Sequence, residues 1–194
     1  GTMARKKALL DFSRKHNLKI GTIADLINYR ILNEKTVEKI DQKSVKTEYG
    51  KFNLILYKDL IFDETHLVLQ KGKISKNSPT LVRVQQSNFF HDLLNIDEFG
   101  ARWSVSDSMK KINEAGKGII LLIDGENKKQ DEFNVIKSFK KKRITAPNND
   151  PRRIGIGSQI LRDLGVKKIK LMGSEVRYPS LSGFDLEVTE YLKK

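Results

Sequence analysis

The 194-residue chain contains no cysteine, which excludes disulfide bonds, thiolate metal sites and thiol nucleophiles. Long apolar runs are also lacking. The longest, Ile119 to Ile123, is far shorter than the roughly 20 residues that cross a bilayer. The first residues, GTMARKKALLDF, show no sustained apolar segment followed by a small-residue cleavage site. These absences predict a cytoplasmic protein with no membrane partner.

Positive charge is in excess, with 37 Lys and Arg residues against 24 Asp and Glu residues and a formal net charge of +13. Such an excess predicts attraction to polyanions, which include nucleotide phosphates, nucleic acid and acidic protein surfaces. The densest basic block is KSFKKKR, residues 137–143. We interpret it as a solvated helix end or loop, because short basic runs are common. A nucleic-acid-binding module is an alternative, but nucleic acid is not the partner we expect.

Residues 4–34 carry apolar side chains at helical spacing, interrupted near Asn17 and Gly21. This pattern predicts two helices. The second is expected to begin at Thr22, whose hydroxyl group can accept a hydrogen bond from a free backbone N–H of the first turn.

Residues 35–44 are mostly polar, and we interpret them as a linker. The predicted domains are a helical segment with this linker, residues 1–40, and a second domain, residues 45–194. In the second domain, strand and helix patterns alternate, which predicts an α/β (mixed α+β) fold with mixed β-sheets flanked by helices. The predicted strands are 52–56, 66–69, 81–84, 118–123, 167–172 and 186–191, and the predicted helices are 108–115, closed by Gly116, and 156–164, closed by Gly165.

Two closely spaced glycines, Gly155 and Gly157, lie at the start of the last predicted helix. A Gly-x-Gly at a helix start allows backbone N–H groups to approach a phosphate. The third glycine of a dinucleotide-binding motif and the lysine of a P-loop are both missing. By itself, therefore, this motif is only weakly indicative of a phosphate site.

Several segments resemble GTP cyclohydrolase II, the first enzyme of riboflavin synthesis. They are TEYGKFNLILY (47–57), PTLVRV (79–84), INEAGKGIILL (112–122), RRIGIGSQILRDLGVKKIKLM (152–172) and GFDLEV (183–188). The segment FSRKHNLKIGTIADLINYR (12–30) is similar to the final part of 3,4-dihydroxy-2-butanone 4-phosphate synthase. That synthase is fused upstream of the cyclohydrolase in many bacteria. The resemblance therefore implies the C-terminal half of a bifunctional riboflavin biosynthesis protein.

The family that the chain resembles uses zinc and magnesium, and three cysteines hold its zinc. When Arg83 and Val84 are placed on the family's strand, the three cysteine positions fall on Asn88, Phe99 and Ala101. None of these residues supplies a thiolate. The resemblance thus implies a lost zinc site, and we expect no metal and no cofactor.

Other residues could in principle bind zinc through nitrogen and oxygen atoms. The candidates nearest the lost cysteine positions are His91, Asp92, Asp97 and Glu98. Their spacing is irregular, so we interpret them as ordinary surface or core residues. His16 and His66 are too scattered along the chain to indicate a site.

Two family positions are well kept: Asp150 matches the general base, and Arg152 matches the nucleophile toward the triphosphate. Judged from its neighbours alone, Arg152 would be read as part of a surface ion pair. The positions that would contact the substrate fall on Arg83, Glu126, Lys128 and Arg177.

The resemblance and the missing cysteines together predict a degenerate cyclohydrolase domain without zinc or cyclohydrolase activity. We expect it to serve a structural, dimerisation or regulatory role for a fused synthase, and the resemblance implies a homodimer. One alternative is an enzyme that still binds GTP, or another nucleotide, or releases phosphate by means of Arg152.

Overall fold

The computed structural model describes residues 3–86, 102–123, 151–176 and 179–194. The chain divides into two compact units, Gly1–Glu34 and Lys35–Lys194. Within the described ranges, no helix combines the length and apolar character that crossing a membrane requires.

The first unit contains two short helices, α1 (Lys6–Lys15) and α2 (Ile23–Asn33). A capping box starts α2: the hydroxyl of Thr22 accepts the backbone N–H of Asp25 at 3.0 Å, and the Asp25 carboxylate accepts the backbone N–H of Thr22 at 3.4 Å. Asn17 follows α1 with φ of 51°, a left-handed conformation that asparagine tolerates. The predicted helix pair, its interruption and the Thr22 cap are confirmed.

Seven strands among the described residues form one mixed sheet in the second unit. They pair in the order β1-β2-β3-β5-β4-β6-β7. The pairs β1–β2, β2–β3 and β3–β5 are antiparallel, and the pairs β5–β4, β4–β6 and β6–β7 are parallel. The strands are β1 (Val37–Thr47), β2 (Gly50–Asp59), β3 (Thr65–Lys71), β4 (Thr80–Gln86), β5 (Gly118–Ile123), β6 (Lys168–Met172) and β7 (Glu187–Leu192).

The interpretation of residues 35–44 as a linker is wrong, because most of them belong to β1. This strand lies at the edge of the sheet and exposes most of its side chains, so it lacks the alternating apolar pattern that marks a half-buried strand. Its start is nevertheless anchored. Val37 is buried, and the backbone N–H of Thr36 donates to Oε1 of Gln159 at 2.8 Å.

Helices cover the two faces of the sheet. The longer elements are α3 (Val105–Ala115) and α4 (Pro151–Asp163), and a 3-10 helix (Pro179–Phe184) packs against α4. Ile120 of β5 lies in the core cluster with Met109 and Ile112 of α3. Leu121 and Ile123 face α4, because successive side chains of a strand point to opposite faces. The predicted fold class is confirmed.

Both helices begin earlier than predicted. Ser104 caps α3 by accepting the backbone N–H of Asp107 at 3.0 Å, and α3 ends, as predicted, at Gly116, which has φ of 71°. The first residue of α4 is Pro151, because the fixed φ of proline suits the first turn of a helix.

The Gly-x-Gly motif, which is only weakly indicative of a phosphate site, lies inside α4 because this helix begins earlier than predicted. Gly155 and Gly157 lie inside α4, and both are buried. A Cβ atom on Gly157 would approach Cδ1 of Ile123 to 3.2 Å. The absence of a side chain therefore allows α4 to lie close to β5.

Candidate functional site

A cluster of charged and polar side chains lies at one end of the strands, where β2 ends and β3 begins. It consists of Asp59 at the end of β2, Glu64 in the turn that follows, His66 in β3 and Arg152 in the first turn of α4, with Phe62 against Arg152. The parallel strands β4 and β5 also end here, and the carboxyl ends of the strands are where open α/β sheets usually bind ligands. The four polar residues and Phe62 are hereafter called the Arg152 cluster.

Arg152 is bound by two carboxylates. Its Nη2 atom donates to Oε2 of Glu64 at 2.6 Å and lies 3.8 Å from Oδ2 of Asp59. Its Cζ atom lies 3.3 Å from the centroid of the Phe62 ring, which adds a cation–π contact. The residue that the resemblance implies as the family's nucleophile is thus engaged with acidic groups of the same chain.

The β2–β3 turn holds the two carboxylates in place. Oδ1 of Asp59 accepts the backbone N–H groups of Ile61 at 2.8 Å and Phe62 at 3.3 Å, and the Asp59 backbone N–H donates to the Glu64 carbonyl at 2.8 Å. Asp59 is only 1% exposed, so its carboxylate is stabilised by these local bonds and by Arg152.

His66 belongs to the same cluster. It is fully buried, and it pairs across the strands with Tyr57, so it shares a sheet face with Tyr57 and Asp59. One potential ligand atom from each of Asp59, Glu64 and His66 lies within 4.8 Å of the others. None of these three residues has a role that its local sequence predicts, and the hairpin pairing of β2 and β3 is the signal that places them together.

A second polar network ties α4 to the start of β1 and to β2. Tyr57 donates its hydroxyl to Oδ2 of Asp163 at 2.8 Å, and Nζ of Lys35 donates to Oδ1 of Asp163 at 2.8 Å. Burial, reinforced by the Asp163 carboxylate, raises the pKa of Tyr57, so its hydroxyl stays protonated and acts as a donor. Burial alone would raise the pKa of Asp163, but the hydrogen bonds from Lys35 and Tyr57 outweigh it and lower that pKa.

This lowered pKa predicts a pH dependence of stability. The Asp163 carboxylate contributes stability above its unfolded-state pKa, near pH 4, and the contribution is lost as pH falls through the lower folded-state pKa. Urea unfolding from pH 6 to pH 3 should therefore show a steeper loss of stability below about pH 4 in the wild type than in Asp163→Asn. Identical slopes for the two proteins would contradict the prediction.

Arg83 does not join the Arg152 cluster. Its Nη1 atom donates to the carbonyl of Met172 at 2.9 Å and its Nε atom to Oε1 of Gln85 at 2.8 Å. Leu81 of the same strand packs in the cluster with α3, so Arg83, two residues on, points to that face, whereas Arg152 lies on the α4 face. The structure therefore places these two predicted site residues on opposite faces of the sheet.

The other predicted site residues lie outside the described residues. They are Asp150, Glu126, Lys128, Arg177, the three positions Asn88, Phe99 and Ala101, the zinc candidates His91, Asp92, Asp97 and Glu98, and the basic block 137–143. The chain has no cysteine, and phenylalanine and alanine side chains have no metal-binding atom, so the zinc positions that the resemblance implies offer no thiolate.

The fold and the site define a mixed α+β domain in which helices cover both faces of a mixed sheet and a charged cluster lies where the parallel strands end. The chain belongs to the GTP cyclohydrolase II family, which it matches over residues 38–193.

Its relatives are proteins of riboflavin biosynthesis. It is 43% identical to a 3,4-dihydroxy-2-butanone 4-phosphate synthase of Pseudomonas aeruginosa over 99% of this chain and 53% of that protein. It is 38% identical to the riboflavin biosynthesis protein RibBA of Aquifex aeolicus over 98% of this chain and 50% of that protein. A crystal structure of RibBX, a two-domain 3,4-dihydroxy-2-butanone 4-phosphate synthase from A. baumannii, superposes with a TM-score of 0.65 at 39% identity, covering 100% of this chain and 51% of that one. The chain spans about half the length of the curated relatives it matches.

Proposed function

We propose that this domain lacks GTP cyclohydrolase II activity and serves a 3,4-dihydroxy-2-butanone 4-phosphate synthase in the same polypeptide as a structural, dimerisation or regulatory element. The observation that carries the proposal is the engagement of Arg152 by Glu64 and Asp59. The resemblance implies two catalytic positions, Asp150 and Arg152, and of these only Arg152 lies among the described residues.

An arginine that binds a nucleoside triphosphate must direct its guanidinium toward the phosphate oxygens. Here the carboxylates of Glu64 and Asp59 lie 2.6 and 3.8 Å from Nη2 of Arg152. A phosphate group would have to displace Glu64 and would then lie beside two negative charges. These contacts favour a structural role for Arg152 over a role in phosphate binding.

The donor chemistry supports the same conclusion. Opening of the guanine ring and release of formate require a strongly activated water, which a catalytic zinc supplies in the related enzymes. The three family positions for its ligands are asparagine, phenylalanine and alanine in this chain. We therefore assign no hydrolytic step to this domain.

The core, in contrast, is that of a stable domain. β5 is buried on both faces, and it packs against α3 through Ile120 and against α4 through Leu121 and Ile123. A structural or regulatory element requires a stable fold, but it does not require the catalytic ligands. The relatives named as synthases are about twice as long as this chain, which supports a synthase half as the partner.

The loss of activity is tested by measuring formate release from GTP with the purified chain in the presence of added zinc and magnesium. We expect no release above the rate without protein. Formate release that depends on the protein and scales with its concentration would contradict the proposal. Calorimetry with GTP addresses the alternative: we expect no heat of binding, and binding that disappears in Arg152→Met would instead support a residual nucleotide site.

The supporting role is tested in the longer polypeptide. The synthase half is produced with and without residues 35–194, and its melting temperature, oligomeric state and synthase activity are compared. We expect removal of the domain to lower at least one of these quantities, and addition of the separate chain in trans to restore it in part. An unchanged synthase half in all three measurements would reject the role.

A further inference from the structure

We propose that Asp59, Glu64 and His66 form a binding site for a divalent transition-metal cation such as Zn²⁺ or Co²⁺, and that the guanidinium of Arg152 holds the same place when no metal is bound. One potential ligand atom of each of the three residues lies within 4.8 Å of the other two. Nη2 of Arg152 donates to Oε2 of Glu64 at 2.6 Å and lies 3.8 Å from Oδ2 of Asp59. None of these three residues is among the positions Asn88, Phe99 and Ala101 that the resemblance implies for the family's zinc.

The donor set suits such a metal. One imidazole nitrogen and two carboxylate oxygens are ordinary ligands of Zn²⁺, and three protein ligands leave a coordination position open. A divalent cation would also match the two negative charges of Asp59 and Glu64, whereas one guanidinium carries a single positive charge.

Burial and backbone geometry prepare the site. Asp59 is 1% exposed, His66 is 0% exposed, and the Glu64 side chain is 10% exposed. The hydrogen bond between the Asp59 N–H and the Glu64 carbonyl fixes the turn, and the Asp59 carboxylate is oriented by the N–H groups of Ile61 and Phe62. Rigid ligands lower the entropy cost of binding, so little rearrangement of these three residues is needed.

Arg152 and a metal ion exclude each other. The 2.6 Å bond from Nη2 occupies Oε2 of Glu64, and a positive charge so close to the ligands repels a second cation. Arg152 is 26% exposed and lies in the first turn of α4, so its side chain has a path to solvent when a metal replaces it. Metal binding would thereby release an arginine at the end of the sheet.

The test measures Co²⁺ binding by the purified chain, from its visible absorption and by calorimetry, after treatment with a chelator. Arg152→Met should bind Co²⁺ at least about tenfold more tightly than the wild type, because a positive charge 2.6 Å from Glu64 and 3.8 Å from Asp59 has been removed. His66→Gln or Glu64→Gln, each added to Arg152→Met, should abolish the gain. The matched control is Asp63→Asn, which changes an exposed carboxylate of the same turn and should leave Co²⁺ affinity unchanged.

Circular dichroism establishes that each variant is folded. If Arg152→Met does not fold, Co²⁺ binding to the wild type is compared with that of His66→Gln, and loss of binding in the variant supports the site. Equal Co²⁺ affinity in the wild type, Arg152→Met and the His66→Gln proteins would overturn the proposal, as would no binding by any of them. Formate release is measured separately, so a metal bound here without turnover leaves the proposed loss of cyclohydrolase activity intact.

Discussion

Replacement of Arg152 by methionine is expected to lower the free energy of unfolding by about 3 kcal/mol, the usual cost of removing one partner from a buried ion pair. Asp59 is almost completely buried, and the substitution leaves its carboxylate and that of Glu64 without this guanidinium. The cation–π contact with Phe62 is lost as well. Methionine keeps much of the apolar length of the side chain, so the loss reports mainly on charge.

Urea unfolding at pH 7 measures this effect. Arg162→Met is the matched control, because Arg162 lies exposed in the same helix, and its replacement should change stability by less than about 0.5 kcal/mol. Adding Glu64→Gln to Arg152→Met should recover part of the loss, since a neutral amide is less costly to bury than a carboxylate that has lost this guanidinium. Equal losses in Arg152→Met and Arg162→Met would show that the cluster contributes little to the fold.

Replacement of Gly118 by alanine should destabilise the protein by about 3 kcal/mol through overpacking at the centre of the sheet. A Cβ atom at this position would lie 2.7 Å from Cγ1 of Ile112 and 2.8 Å from the backbone carbonyl of Leu81. The side chain of Ile112 can move only into a core that is already filled, and the carbonyl belongs to the neighbouring strand β4, so relaxation requires a shift of α3 or of the sheet.

Gly173→Ala provides the comparison for this prediction. Its added Cβ would meet Nη1 of Arg83 at 3.4 Å, an ordinary contact with the end of a flexible side chain. We expect thermal unfolding to show a clear decrease in melting temperature for Gly118→Ala and little change for Gly173→Ala. A Gly118→Ala protein as stable as the wild type would mean that α3 packs less closely on β5 than the structure shows.

Local signals predicted the helices of the first unit and the ends of several elements. The hydroxyl of Thr22 accepts the backbone N–H of Asp25, only three residues away. Gly116 adopts the left-handed conformation that ends α3. The strand 118–123 matches its predicted bounds, because a short apolar run between polar residues has few other solutions in a folded protein.

Positions that depend on a distant neighbour were misread. β1 is polar because it lies at the edge of the sheet. The sequence of residues 35–44 gives no indication that they pair with β2. Gly155 and Gly157 gave a weak phosphate signal, and the structure shows a packing reason for Gly157, which allows α4 to approach Ile123, 34 residues earlier in the sequence. A glycine near a helix start has the same local appearance in both cases.

The sequence by itself determined that this chain offers no thiolate: without cysteine, the zinc ligands that the resemblance implies are missing whatever the fold. It also carried the family resemblance, since short motifs in a fixed order are a property of the chain. Only the tertiary structure decided what Arg152 does. Glu64 lies 88 residues earlier, and the two meet because α4 packs over the end of the sheet where β2 turns into β3. Long-range packing, which no local pattern encodes, therefore turned an apparent surface arginine into the cation of a buried cluster.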